Sequence, residues 1–433
     1  MQCSQRVSRY KDTIGLNKKD VRKLLRCYSL FYVLINNQNT ILIIRIFTLL
    51  CFLIPLVGCS QFEVTSLRKT IVHSYPYVSK LRSLPSKDGV YINIAVFLPL
   101  TGPYRNVGES MKNSMLLARR ELRAHHMIFH FWDIGNEKFT INDKISGLDL
   151  RNMDVILGPI FAKEIEVIYS LARKYGLPMI AYSDRYELFN KPGLFSVSIS
   201  KKQQLERITS YAAENGFDNI YAILVYNRNV KDGKELASHR LIKRRFFYSK
   251  EIVGSKIKMQ LSNVVISLKK AINSDLDMEG KQAILLPEEN TDSSQVLKQM
   301  QFLHSSGDKS CKVLGIGDWT NHTKLRSNLV TNKIWIADIP YRSINNFNKK
   351  FMESFKKPAT REGALAYDSV LLLEAITYNV NGGPVLAFQN LTAPRGFLGV
   401  TGFFRFKEDG ENERIFSIYE LVNNKLRVIS SVR

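Results

Sequence analysis

From Tyr91 onward, short apolar runs alternate with stretches whose apolar residues recur every three or four positions. Ile92 to Leu98, rich in β-branched residues, predicts a buried strand. A Gly/Pro turn at Thr101-Gly102-Pro103 follows, then a helix carrying Val107, Met111, Ala118 and Leu122 on one face. Met127 to Trp132 and Asp154 to Leu157 predict two more strands. Ile165, Ile168, Leu171, Ala172 and Tyr175 mark the inner face of the next helix, which Gly176 is placed to end. Pro178 to Tyr182 completes this first series as a strand.

The series then repeats. Ser200-Lys201-Lys202-Gln203 has the form of a capping box, opening a helix with Leu205, Ile208 and Ala212 inward and Gly216 at its end. Ile220 to Tyr226, Ala283 to Leu286, Val313 to Ile316 and Ile334 to Ile336 predict strands. Phe347, Phe351 and Phe355 share one helix face, and Ala364 to Ala375 forms a further helix. Strands spaced by helices of this length predict parallel sheets covered on both faces. The end of the chain changes character: Phe403 to Phe406 and Ile415 to Leu421 flank Asp409-Gly410, a hairpin signal. A chain of 433 residues is too long for one ordinary core. The pattern therefore predicts an α/β protein of two doubly wound lobes, with a cleft between them and a C-terminal β-hairpin.

Upstream stands one apolar run, Ile46 to Gly58 (IFTLLCFLIPLVG). It is shorter than the roughly 20 residues a spanning helix needs and fits the h-region of a signal peptide. Arg45 and the basic stretch before it supply the n-region. The run ends in Leu56-Val57-Gly58-Cys59, a lipobox-like string whose cysteine would be lipidated. Residues 1–58 thus read as a lipoprotein signal peptide with a long basic n-region, and residues 59–90 as a lipid-anchored linker. The leader's nine basic and two acidic side chains contribute +7 to the net charge of +23, which leaves +16 on residues 59–433. So basic a body suits an anionic neighbour: a membrane surface, a cell-wall polymer, an acidic protein or nucleic acid, and charge alone does not choose among them.

Cysteine usage agrees with export. Cys3, Cys27 and Cys51 fall in the leader and Cys59 is the lipidation point, so Cys311 is left without a disulfide partner. In DKSCKVLGIG it opens a buried strand and reads as an inert apolar residue.

Candidate chemistry is sparse. His125, His126 and His130 cluster, but HHMIFHFWD reads as a strand on which they do not converge, so no metal site is expected. Gly315-Ile316-Gly317 lacks the third glycine and the following helix of a dinucleotide loop. No GxSxG elbow, P-loop or HExxH occurs, so neither catalysis nor a cofactor has a visible carrier. The densest basic cluster is Arg240, Lys243, Arg244, Arg245 and Lys250, interleaved with Phe246, Phe247 and Tyr248. Its composition would suit nucleic acid. It reads instead as a solvated helix face running into a buried strand, and no nucleic-acid partner is expected.

Several strings, in this order and spacing, resemble known families. INIAVFLPLTGPYRNVGESMKN resembles the opening strand, loop and helix of type 1 periplasmic binding proteins, the leucine/isoleucine/valine-binding class. DVILGPIFAKEI, GLPMIAYSD and AYDSVLLLEA are similar to later parts of that fold. GFLGVTGFFRFKEDGENERIFSIYEL resembles the terminal hairpin of the penicillin-binding protein activators, the LpoA-like lipoproteins. The resemblance covers roughly Tyr91 to Ser430. It implies two lobes joined by three crossovers: 91–197 and 318–395 in lobe 1, 198–317 and 396–433 in lobe 2.

The resemblance also implies which loops face the cleft: Thr101, Gly102 and Tyr104; Gly158, Pro159, Ile160 and Phe161; Tyr182, Ser183 and Asp184; Tyr226; and Gly317 to Trp319. Tyr367 and Asp368 join from a helix start. Amino-acid-binding relatives carry a hydroxyl residue just after the glycine of the second loop. Here Pro159 has no N–H and Phe161 no hydroxyl, which tilts the chain toward the activator branch. The implied function is that of a non-enzymatic lipoprotein of the outer membrane's periplasmic face. It would be held there by lipid on Cys59 and would bind and activate a bifunctional peptidoglycan synthase, a penicillin-binding protein. The alternative is a solute-binding receptor closing over an amino acid, peptide or similar small ligand in the cleft.

Overall fold

A computed structural model describes residues 84–85, 90–136, 138–183, 190–226, 242–249, 255–274, 280–286, 311–318, 334–380, 383–422 and 425–431. The leader, Cys59, most of the linker, Asp184, Arg240 and Lys250 lie outside the described residues. β1 (Leu84–Pro85) precedes the opening series β2 (Ile92–Leu98), α1 (Arg105–Glu121), β3 (Met127–Asp133), α2 (Ile141–Ile145) and β4 (Val155–Leu157). That series continues through α3 (Ala162–Tyr175), β5 (Met179–Ala181) and β6 (Leu194–Ser196). Next come α4 (Lys201–Glu214), β7 (Asn219–Tyr226), β8 (Ile242–Ser249), α5 (Ser255–Ser274), β9 (Gln282–Leu286), β10 (Lys312–Gly315) and β11 (Ile334–Asp338). The chain returns through α6 (Tyr341–Phe355), α7 (Arg361–Ala375), β12 (Thr377–Val380) and β13 (Gly383–Leu386). It ends with β14 (Phe397–Gly399), β15 (Gly402–Phe406), β16 (Asn412–Arg414), β17 (Ser417–Val422) and β18 (Lys425–Ser430).

Lobe 1 is built on an all-parallel sheet, β3-β2-β4-β5-β6. The run at β2 is apolar at every position except Asn93 because both faces are covered. Ile92, Ile94, Val96 and Leu98 join the core with Met111 and Met115 of α1 and Ala364 and Leu372 of α7. Ala95 and Phe97, one pleat out of phase, pack with Ile165 and Ile168 of α3. Helices α1 and α7 approach so closely that a Cβ on Gly363 would lie 2.5 Å from Ser110 Oγ. Thr360 caps α7 by accepting the Gly363 N–H at 3.1 Å, and its own N–H donates to Ser110 Oγ at 2.9 Å. Gly176 ends α3 in the left-handed conformation, φ 66°, where a side chain would be strained.

Lobe 2 carries a seven-stranded sheet, β18-β17-β11-β10-β9-β7-β8. Its five strands from β8 to β11 are parallel, and β17 and β18 extend it antiparallel. Leu205, Ile208 and Ala212 of α4 cover one face, and Val264 and Leu268 of α5 cover the other. Such doubly covered parallel sheets are the architecture that the alternating pattern predicts.

Four local expectations differ from what the fold does. Ile334–Asp338, expected within lobe 1's return, pairs with β10 and β17 in the lobe 2 sheet, so the crossing falls after Asp338 rather than near residue 318. The Asp409-Gly410 turn joins β15 to β16, pairing Phe404 with Arg414, while the predicted second arm instead becomes β17. This hairpin, expected with lobe 2, buries Phe397, Phe404, Phe406 and Phe416 in the lobe 1 core. Ser200 does cap α4, accepting from the Gln203 N–H at 3.4 Å. The Gln203 side chain does not return to the cap, however: its Nε2 donates to Asn412 O at 2.7 Å and its Oε1 accepts from Arg414 N at 3.0 Å. A tertiary partner with two matching groups outcompetes the single local N–H.

Cys311 sits buried immediately before β10, and burial pushes its thiol up to about 12. Because the thiolate is the nucleophile, Cys311 is expected to react with a thiol reagent at neutral pH only after unfolding. Rapid stoichiometric labelling of native protein in which Cys3, Cys27, Cys51 and Cys59 are all replaced by alanine would contradict this.

Candidate functional site

The carboxyl ends of the parallel strands in both lobes meet where the chain crosses between them, as expected for open α/β sheets. There lies a cavity of about 660 Å³. Lobe 1 contributes Ile160 and Tyr182; the first crossing contributes Ser198 and Ile199; lobe 2 contributes Lys201, Gln204, Gly317 and Asp318; and the return contributes Asn348 and the segment from Pro358 to Glu362.

The three crossings are tied to one another. At the first and third, Ser198 Oγ donates to Asn412 Oδ1 at 3.1 Å and Asn412 Nδ2 donates to Ser198 O at 2.9 Å. Arg414 Nε donates to the same Ser198 carbonyl. At the second, Tyr419 Oη donates to Ile339 O at 3.1 Å and accepts from Tyr341 N at 2.8 Å. Gln204 reaches from α4 to Ala337 O at 2.7 Å.

Arg361, the first residue of α7, spans the base of the cleft. Its guanidinium meets Asp338 at 2.6 and 3.3 Å and Asp318 at 3.1 Å. Asp338 is fully buried and both aspartates belong to lobe 2 strand ends, so a lobe 1 helix start is bolted to the opposite sheet. A planar fork bridging two carboxylates is a task for arginine rather than lysine.

The predicted site residues separate into three groups. Ile160 and Tyr182 line the hinge cavity; Tyr182 is buried, and that burial drives its phenol pKa upward. Pro159 lies behind it, its carbonyl accepting the Tyr182 N–H at 3.1 Å, and Ser183 is buried with its carbonyl accepting from Ser196 Oγ. Gly158 has φ +100° and its Cβ position would fall 2.3 Å from Phe97 O, so glycine is required there.

Tyr104 and Phe161 line a second pocket on lobe 1, and Thr101 and Gly102 lie in the loop beside it, against Asp133 and Gly135. Thr101 donates through Oγ1 to Asp133 Oδ2 at 2.6 Å, while the N–H groups of Leu100, Thr101 and Gly135 converge on Asp133 Oδ1. Partial burial opposes ionisation of Asp133, but these four donors outweigh it and hold its carboxyl below the usual range. A Cβ on Gly102 would lie 2.4 Å from Gly135 O. Tyr104 and Phe161 pack ring on ring, centroids 4.5 Å apart.

Tyr367 and Asp368, expected at the cleft, lie inside lobe 1. Tyr367 Oη donates to Glu121 Oε2 at 2.7 Å and its ring packs on Phe347 at 5.3 Å. Asp368, fully buried, accepts from Val400 N at 2.6 Å, Thr401 N at 3.0 Å and Thr401 Oγ1. Arg414 Nη1 reaches the same threonine hydroxyl at 2.8 Å. Tyr226 ends β7, and the basic residues Lys243 and Arg244 are exposed on strand β8 rather than on a helix. His126 pairs with Glu374 at 3.2 Å and His130 with Asn93 at 2.9 Å. Among the described residues, no group of three His, Cys, Asp or Glu side chains could hold a metal ion, and no helix is long and apolar enough to cross a membrane. Arg361 was the residue that sequence reading missed, since a single arginine at a helix start carries no pattern.

No protein-family model matches the chain and no curated protein matches it. Among solved structures, full-length LpoA from Haemophilus influenzae superposes with a TM-score of 0.58 at 14% identity, covering 81% of this chain and 60% of LpoA. The chain thus spans about 60% of the length of that relative. The LpoA C-domain, described as a regulator of PBP1A, is covered over 100% of its length and 78% of this chain, with a TM-score of 0.57 at 14% identity. A Rhodospirillum rubrum protein assigned as a branched-chain amino acid ABC transporter gives a TM-score of 0.63 at 17% identity, over 78% of this chain and 100% of that one. The chain has the type 1 periplasmic binding protein fold, in the form shared by the LpoA C-domain and the branched-chain amino acid binding proteins.

Proposed function

We propose that this chain is a non-enzymatic, lipid-anchored envelope protein that binds a bifunctional peptidoglycan synthase and favours its active conformation. The observation that carries the reading is the cleft itself. Its base is spanned by Arg361, bound at once to Asp338 and Asp318, and on its second loop Pro159 has no N–H to offer a carboxylate, while Phe161, which has no hydroxyl, packs on Tyr104 in the separate lobe 1 pocket. A cleft braced by its own ion pairs suits a scaffold that presents an outer surface. The likeness to the LpoA C-domain over its whole length and the lipobox-like string at Cys59 support the same reading. Activation would follow from differential affinity for the synthase's states. Outer-membrane placement through Cys59 is part of the proposal.

The test is co-purification with the bifunctional synthases of the same envelope, together with their polymerisation rate with and without added protein. Binding plus a faster rate is the expected result. No binding to any of them would end the proposal.

The cavity of about 660 Å³ favours a second reading, a solute receptor. A ligand present at 100 times its dissociation constant would stabilise the protein by about 2.7 kcal/mol. Thermal shifts with amino acids, short peptides and muropeptides would decide it, and no shift with any of them would remove it.

A further inference from the structure

The lobe 1 pocket beside the first turn of α3 has about 380 Å³ of space and shares no residue with the hinge cavity. We propose that it is a separate ligand site for an organic amine, an ammonium group carried on an aromatic or alkyl body.

Three observations converge on that chemistry. The first is Glu164. Its side chain lines the pocket, the residue is 9% exposed, and among the described residues the buried Oε2 has no hydrogen-bond partner. A buried carboxylate oxygen is ordinarily satisfied, so this one is an acceptor awaiting a donor. The nearest built-in cations are not its partners. Lys144 donates its Nζ to Ile134 O at 2.6 Å, and Lys163 is exposed. Burial pushes the Glu164 carboxyl above its ordinary range, while Lys163 and Lys144 pull the other way.

The second observation is the wall. Tyr104 and Phe139 are 50% and 57% exposed at the pocket, and Phe161 packs against Tyr104. Aromatic faces around a carboxylate are the means by which proteins hold alkyl- and arylammonium groups. The third is rigidity. Asp133 ties the loop at Leu100 and Thr101 to Gly135, and Thr140 forms a reciprocal capping box with Asp143 at the start of α2. The pocket's rim is therefore set before any ligand arrives, which lowers the ordering cost of binding.

Calorimetric titration of the full chain with phenethylamine at neutral pH tests the site, with 3-phenylpropionate as the probe of opposite charge and similar body. Phenethylamine is expected to bind at one site, and 3-phenylpropionate at least tenfold more weakly. Glu164→Gln should weaken phenethylamine at least tenfold without lowering the melting temperature, since it removes a desolvated charge whose Oε2 has no hydrogen-bond partner among the described residues. Phe139→Ala, at an exposed position, should weaken it several-fold and guards against a folding defect in the first variant. Glu362→Gln, which removes a carboxylate lining the hinge cavity, should leave it unchanged. Equal binding of the two probes, or unaltered binding by Glu164→Gln, would overturn the site. So would an amine whose binding is abolished by Glu362→Gln, because it would then sit in the hinge cavity, which Glu362 lines. Synthase binding is a separate measurement, so either idea can fail alone.

Discussion

Replacing Asp368 with alanine is expected to cost about 3–5 kcal/mol of stability, the range for breaking a buried, hydrogen-bonded charge cluster. Its carboxylate receives two backbone N–H groups and a hydroxyl from Val400 and Thr401, and these anchor the approach to β15. Gly399 passes so near that its Cβ position would be 2.3 Å from the Asp368 Cγ. Removing the carboxylate would orphan those donors and leave Arg414 buried without its nearest negative charge. Desolvation already pulls the Arg414 guanidinium down to about 10, with Asp368 the opposing influence. Arg414 also holds Ser198 at the first crossing, so the damage should spread to the hinge. Urea unfolding monitored by circular dichroism measures the loss. A midpoint change worth less than about 1 kcal/mol would show that the network is dispensable.

Arg361→Ala should have the next largest effect, about 2–4 kcal/mol, because it strips the guanidinium from a fully buried aspartate while part of the cost is relieved by water at the more open Asp318. It should also widen the angle between the lobes, visible as a larger radius of gyration by small-angle scattering. Arg361→Lys should recover less than half of the loss, since one ammonium cannot engage both carboxylates in a fixed fork. Wild-type stability and dimensions in Arg361→Ala would refute the brace. Synthase binding by this variant would also reveal whether the interlobe angle is what the partner reads.

Much of the architecture is legible without coordinates, and particular residues show why. Ile92 to Leu98 reads as a buried strand because a nearly continuous apolar run with β-branched residues tolerates no wet face, and it pairs in parallel on both sides. Gly176 and Gly216 stop helices where a left-handed backbone is needed, φ +66° and +80°. The strand β6, by contrast, is three residues long and gives no periodicity to read. Strand β8 carries Lys243-Arg244-Arg245 at its start, so its charge resembles a solvated face while its backbone lies in the sheet. At the cleft, the loops after β4 and β5 were foreseeable because parallel sheets place their sites at strand ends, and Ile160 and Tyr182 line the cavity accordingly.

The order of apolar and polar residues determined that the chain folds as alternating strands and helices in two doubly wound sheets, because burial acts on each segment through its own period. Which lobe receives a strand was decided only in three dimensions: β11 joins the second sheet between β10 and β17, the latter a segment about 85 residues further along the chain. The fates of Asp368, Arg361 and Gln203 were decided there too. A polar side chain's role depends on the donor or acceptor that arrives from elsewhere in the chain, and the sequence around it does not name that partner.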